Sequence, residues 1–258
     1  MTKHTFGGIN MEIKILKIKD LLGDKPKIIG GGNIKLGNNP LFGSWSTMKG
    51  GDNEIHYVKK YGGLCSGTCG ECAKHCSESC YVNASYRYGS VIQRHAVNAT
   101  YIKEDLNLTF KILDEQLTRK KDKFEIIRIN QSGELTGYKE LKLWVDLAIK
   151  HPETKFYVYT KNYKAVKQLI DSKQEVPETF TILISVWHKQ GVKEFEKWKD
   201  LPYIKAFVYD DGEMHIKPQT YCKAYDDKGK LNHDISCEKC RKCFNRNNGH
   251  KIIACKDH

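Results

Sequence analysis

The chain has 258 residues, 40% hydrophobic and 29% charged, with 43 basic and 31 acidic side chains giving a net charge of +12. That mix excludes a disordered chain, and at this length a folded chain buries roughly 70–75% of its unfolded surface, so a core needs no covalent staples. The longest strongly apolar run, residues 181–187, is far short of the roughly 18 that cross a bilayer, and MTKHTFGGINMEIKILKIKD carries no apolar signal core; the expectation is a cytoplasmic chain with no membrane partner.

Residues 1–64 are rich in glycine, and GGGNIKLGNNPLFGSWS (30–46) reads as short strands and loops. A first cysteine group follows at 65–80. Ile102, Leu106, Phe110, Leu113 and Leu117 then recur at steps of three and four, which predicts one long helix ending in the charge run 119–123. From Phe124 a regular alternation sets in. FEIIRIN (124–130), FYVYT (156–160), FTILISVW (180–187) and YIKAFVY (203–209) read as strands. Between them, YKELKLWVDLAIK (138–150), NYKAVKQLIDSK (162–173) and GVKEFEKWK (191–199) read as helices, the first with Leu141, Trp144, Val145 and Ala148 on one face. Such alternation implies βαβ units with right-handed crossovers and strand C-termini on one ligand-binding edge. The expected fold is α/β, a partial βα barrel or an open curved parallel sheet of about four to six strands, since a full barrel needs about 250 residues by itself. Residues 1–64 would pack on the core, 65–211 would form the cysteine loop and βα core, and 212–258 a cysteine-rich cap of the same domain.

The ten cysteines decide more than the charge does. They form two groups: Cys65, Cys69, Cys72, Cys76 and Cys80, then Cys222, Cys237, Cys240, Cys243 and Cys255. Clustered thiols in a reduced compartment bind metal or do redox chemistry. Zinc sites typically join two separated cysteine pairs, whereas here the thiols run in close triplets, which favours iron–sulfur clusters of the four-iron, four-sulfide type. Cys237-x2-Cys240-x2-Cys243 resembles ferredoxin spacing, with Cys222 as the natural fourth ligand and Cys255 as a spare buried thiol. Zinc stands as the alternative metal.

A cysteine triplet leaves one iron of a cubane open to a small molecule. Cys65-x3-Cys69-x2-Cys72 is the spacing of radical S-adenosylmethionine enzymes, which place a glycine-rich carboxylate motif after the second barrel strand. Here FEIIRIN runs into QSGEL, so Asn130, Ser132, Gly133 and Glu134 are candidate S-adenosylmethionine contacts, with Glu134 to receive an ammonium and Gly133 to allow close approach. A helix N-terminus capped by Ser132 is an equal reading.

GNIKLGNN (32–39), CYVNASYRYGSVIQRHAVN (80–98), RINQSGELTGYKELKLWVDLAIKHPETKFYVYTKNY (128–163), Cys222 and CEKCRKCFN (237–245) together resemble the phage gene product eighty-eight family. That resemblance implies a reduced relative of radical S-adenosylmethionine proteins in a phage or mobile element: an iron–sulfur protein with a partial βα barrel, no particular reaction attached. Two departures matter. An aromatic residue commonly follows the cysteine triplet in radical enzymes, and here Tyr81 follows Cys80, which sets Cys72, Cys76 and Cys80 in competition with Cys65, Cys69 and Cys72. Ser132 also stands where a glycine is usual.

The leading expectation is therefore an iron–sulfur protein of radical S-adenosylmethionine type, with one cluster at Cys65–Cys80, another at Cys222–Cys243, and an external electron donor. The other is a non-catalytic iron–sulfur or zinc module that transfers electrons or binds nucleic acid, as the basic charge permits; a solvated basic surface explains the charge as well.

Overall fold

The computed structural model describes residues 14–30, 39–75, 80–119, 123–210, 216–224, 232 and 234–256. In chain order the strands are β1 (Lys14–Ile15), β2 (Ile29–Gly30), β3 (Phe42–Trp45), β4 (Ile55–Val58), β5 (Gly63–Ser66), β6 (Ile126–Ile129), β7 (Lys155–Thr160), β8 (Phe180–Val186), β9 (Ile204–Asp210), β10 (Thr220–Tyr221) and β11 (Ile252–Lys256). The helices are α1 (Gly89–Glu104), α2 (Leu106–Thr118), α3 (Tyr138–Lys150), α4 (Tyr163–Asp171), α5 (Lys189–Trp198) and α6 (Cys237–Cys240). The chain divides into two compact units, each assembled from separate stretches.

One unit comprises the chain up to Lys27, Ser46–Glu115 and Ser132–Thr136. It holds a small sheet in which β5 pairs parallel with β1 and antiparallel with β4. Helix α1 buries His95 through Ile102, and Ala96, Val97, Ala99 and Tyr101 share a core with Leu16, Leu21, Met48, Val58, Tyr61 and Cys65. The single helix expected through residues 102–117 is two helices. Asp105 leaves helical backbone at φ −148° and ψ 89°, and its Oδ1 accepts from the Leu108 amide at 2.9 Å. A carboxylate that caps the next helix ends the previous one, and the step-of-four pattern continues across the break because both helices are amphipathic.

The other unit comprises Ile28–Trp45, Gln116–Gln131 and the chain from Gly137 onward. Its sheet has eight strands in the order β10-β11-β9-β8-β7-β6-β3-β2, every pairing parallel except β3 with β2. The described strands form an open sheet, with no closed barrel. The βαβ alternation from β6 to β9 follows the periodicity in the sequence, with ends within two residues of those expected. The extra strands come from the two segments without periodicity: β2 and β3 from the glycine-rich stretch, β10 and β11 from the cysteine-rich end.

Register assigns each face its covering. Trp45, Ile129, Phe156 and Val158 lie toward α3, whose Trp144 meets Trp45 edge-on at 5.6 Å and Phe156 at 6.4 Å. Helix α4 packs on α3, α5 packs on β8 and β9, and the Tyr163 hydroxyl donates to the Ser185 carbonyl at 2.7 Å. The opposite face carries Phe42, Ile126, Tyr157, Leu183 and Ile253, and these pack with Phe244, Cys237 and Cys243 of the C-terminal segment. A helix-covered face and a cysteine-covered face are the result.

Candidate metal centre and glycine loop

The C-terminal centre belongs to the eight-stranded unit. Ser236 caps α6, its Oγ accepting from the Lys239 amide at 3.4 Å, so Cys237 and Cys240 occupy the two ends of a single turn. Arg241 then takes left-handed backbone, φ 56°, and turns the chain so that Cys243 and Phe244 reach the sheet. Phe244 inserts between Phe42 (5.6 Å, edge-on) and Tyr157 (5.3 Å). The loop that follows closes around a buried lysine of β9. Lys205 Nζ donates to the carbonyls of Lys242 (2.8 Å) and Asn245 (2.6 Å) and to Asn248 Oδ1 (3.0 Å). Cys222 follows β10, where its amide donates to the Ala254 carbonyl at 2.6 Å.

Four thiols share this neighbourhood. Cys243 is half-buried as a residue, yet protein atoms surround its sulfur so densely that burial is the main influence pushing the thiol up; Cys237, Cys222 and, more weakly, Cys240 push in the same direction. The Tyr159 hydroxyl donates to Cys243 Sγ at 3.1 Å. Burial, then Cys237, holds the Tyr157 hydroxyl well above its usual range, and burial, then Cys243, does so for Tyr159. Tyr157 Oη and Thr181 Oγ1, in register on neighbouring strands, are buried with no hydrogen-bond partner among the described residues. An orphaned buried hydroxyl costs about 1–3 kcal/mol, so these groups await an acceptor. Among the described residues no three His, Cys, Asp or Glu side chains converge tightly enough to hold a single metal ion. Cys255 sits in β11, buried at 4% exposure, as a strand residue of the core.

The first cysteine group lies in the other unit. Cys65 faces the α1 core from β5, 4% exposed, its Sγ 3.9 Å from both the Ala96 carbonyl and Thr100 Oγ1, and burial pushes its thiol up. Cys69 and Cys72 are half-buried on one turn, the Cys72 amide donating to the Cys69 carbonyl at 3.0 Å. Cys80 is half-buried at the start of the next turn, and Cys76 lies outside the described residues. Beside the group stands Tyr86, whose hydroxyl accepts from the Lys49 amide at 3.0 Å; burial is the largest cause of its raised pKa, and Cys80 and Cys65 contribute.

Tyr86 Oη is also 3.3 Å from His95 Nδ1, and burial pushes this imidazole down to about 4. A folded-state pKa below the unfolded value near 6.5 means the unfolded chain binds the proton more readily. The stabilisation is complete above pH 6.5 and is lost as the pH falls toward 4, by about 3 kcal/mol. Urea midpoints measured from pH 7 to pH 4 should fall accordingly, and His95→Gln should flatten the slope.

The loop Ser132–Thr136 belongs to this same unit. The Thr47 amide donates to the Ser132 carbonyl at 3.0 Å, the Glu134 amide donates to Thr68 Oγ1 at 3.2 Å, and the two threonine hydroxyls lie 2.7 Å apart. Gly133 has φ +78°, and a Cβ there would overlap the Thr47 hydroxyl and crowd that of Thr68. Left-handed strain plus overpacking sets the cost of Gly133→Ala at about 3 kcal/mol, measurable as a drop in unfolding midpoint. Glu134 is 6% exposed, its Oε1 accepting from the Leu135 amide at 2.8 Å. So the loop is a turn packed on threonines; the following helix α3 starts at Tyr138 with Gly137 at its cap, and Ser132 does not cap it. Asn130, in the eight-stranded unit, has φ +57°, and neither its amide nitrogen nor its oxygen has a partner among the described residues.

Cys222, Cys237, Cys240 and Cys243 thus belong to one unit, and Cys69, Cys72, Cys80, Ser132, Gly133 and Glu134 to the other. Lys205, Tyr157, Tyr159 and Thr181 are site residues that cysteine spacing does not reveal. A family model described as Gene product 88 matches residues 29–246. No curated protein matches the chain, and no solved structure does.

Proposed function

The chain belongs to the Gene product 88 family, a phage gene product family, and on that premise we propose that it is an iron–sulfur protein with its main centre at Cys222, Cys237, Cys240 and Cys243. The observation that carries the reading is Cys243, packed with Cys237 against Tyr157 and Phe244 on one face of the sheet, its sulfur receiving the Tyr159 hydroxyl at 3.1 Å. Thiolates so placed repel one another unless cationic metal neutralises them. One feature favours a cluster over zinc. The tyrosine hydroxyls are the kind of donor that cluster sulfurs accept. When bound, the cluster would supply or take up one electron. Four cysteines would close the coordination, so the chain's own residues there exclude water and hold the sulfurs.

The test is oxygen-free purification followed by iron and sulfide analysis. The reading expects about four irons and matching sulfide at this centre. Zinc without iron or sulfide would replace it with a structural zinc module.

The finer proposal concerns the other unit. We propose that thiolates among Cys69, Cys72, Cys76 and Cys80 hold a second cluster with one iron open to S-adenosylmethionine, and that the Gly133–Glu134 turn takes its ammonium. Cys65 is left out, because its sulfur packs against α1. Glu134 would bind the ammonium through its carboxylate, while Gly133 keeps the turn seated against Thr47 and Thr68; an external one-electron donor is required. Reduction with S-adenosylmethionine should release 5′-deoxyadenosine above a cluster-free control. If none appears, the radical assignment is lost and the electron-transfer reading stands alone. The net charge of +12 supports a second role in nucleic-acid binding. It predicts affinity that falls steeply with salt, and salt-insensitive or absent binding removes it.

A further inference from the structure

Three hydroxyl-bearing residues face the C-terminal thiols from neighbouring strands, and they differ in state. Tyr159 already donates to Cys243 Sγ at 3.1 Å. Tyr157, with no exposed surface, packs in one cluster with Cys237 and Cys243, and its hydroxyl has no partner among the described residues. Thr181 pairs with Tyr157 across β7 and β8 and is orphaned in the same way. The rings themselves are fixed. Tyr157 packs on Phe244 at 5.3 Å and on Tyr159 at 5.8 Å, and Tyr159 packs on Phe207 at 5.0 Å. A hydroxyl held by its ring beside cysteine sulfurs, with no acceptor among the described residues, is a donor suited to an anionic acceptor.

Resting on the iron–sulfur reading of the C-terminal centre, we propose that Tyr157 and Tyr159 are its potential-setting residues, donating O–H···S hydrogen bonds that favour the reduced cluster. The reduced state carries one more negative charge on iron and sulfur, so a donor aimed at sulfur stabilises it more than the oxidised state and raises the reduction potential. The two tyrosines act through the sulfurs and are positioning residues. They need no proton transfer. Their effect differs between empty and loaded protein. In the metal-free chain the Tyr157 hydroxyl is an uncompensated buried group, whereas Tyr159 keeps its bond to Cys243.

The experiment compares full-length wild type, Tyr157→Phe, Tyr159→Phe and the double variant, prepared without oxygen. It measures iron and sulfide content, reduction potential, and thermal midpoint before and after metal removal. Phenylalanine keeps the ring contacts, so iron content should match wild type. Each single variant should shift the reduction equilibrium about tenfold toward the oxidised state, about 59 mV for one electron, with the largest shift in the double variant. Metal-free Tyr157→Phe should melt at or above wild type, and metal-free Tyr159→Phe below it. Unchanged potentials at unchanged iron content overturn the tuning role while leaving the cluster in place. Wild type without iron and sulfide overturns the cluster reading and this proposal with it. A fall in iron content in the double variant at wild-type potential would make the tyrosines structural only, and also overturns it.

Discussion

If the C-terminal centre holds the cluster proposed for it, replacing Cys243 with serine should strip it of metal. Iron and sulfide should fall by about four each per chain, because serine removes the sulfur on which Cys237, Cys222 and Cys240 all bear. Metal bound only by the folded chain contributes its binding free energy to folding, so the loaded protein should lose several kcal/mol relative to wild type. The metal-free chain should lose far less, since only one O–H···S bond from Tyr159 and one packed sulfur are altered. Cys65→Ser supplies the contrast: a core thiol of the other unit becomes a buried hydroxyl, costing about 1–2 kcal/mol with no loss of iron. Metal analysis and melting of both variants separate the two cases, and iron retained in Cys243→Ser would sink the assignment.

Lys205→Met should cost about 3 kcal/mol in the unfolding free energy. Methionine keeps the apolar stem in a site that is 1% exposed but removes the donors that collect two carbonyls and an amide oxygen from residues 242–248. The loss is bounded by what remains: Asn248 Nδ2 still donates to the Lys242 carbonyl at 2.9 Å, and Asn248 Oδ1 still accepts from the His250 amide at 3.1 Å. The Asn245 carbonyl loses a donor outright. Because this loop follows directly on Cys243, metal uptake should slow in the variant, and Lys205→Arg, too bulky for three acceptors gathered around a single ammonium, should not rescue it. Denaturant titration and the rate of reconstitution check both effects; a variant equal to wild type in both would show that the loop holds its shape without the lysine.

The βαβ core was legible because its elements are long and strongly patterned. In YKELKLWVDLAIK the apolar residues Leu141, Trp144, Val145 and Ala148 are buried as their spacing implied. The strands β10 and β11 were not, because two residues carry no period and IIACK is short enough to pass for loop. β11 is a strand because β9 offers an edge, and β10 because β11 then offers the next, which is a tertiary cause. The cysteine spacing pointed to two groups and to Cys222 joining the second. It could not tell that Cys65 belongs to the core of the α1 unit, since a strand alternates faces and the next thiol is four residues away, past the strand's end. Lys205 did carry a signal, a single charged residue within the apolar YIKAFVY, and a buried lysine in a strand must find acceptors. Tyr157 and Tyr159 likewise share a face of FYVYT by their spacing alone, but nothing local says that sulfur lies opposite.

The turn at Ser132–Thr136 closes hydrogen bonds with Thr47 and Thr68, residues more than sixty positions earlier, while the chain on either side of it builds the eight-stranded unit. No single cut can therefore release either unit whole. A fragment ending at Glu115 would lack the carbonyl that receives the Thr47 amide, and one starting at Gly137 would lack β6, β3 and β2, three of the eight strands at one end of its sheet. The two are woven into one inheritable piece, so this protein resists being trimmed, permuted or recombined as modules.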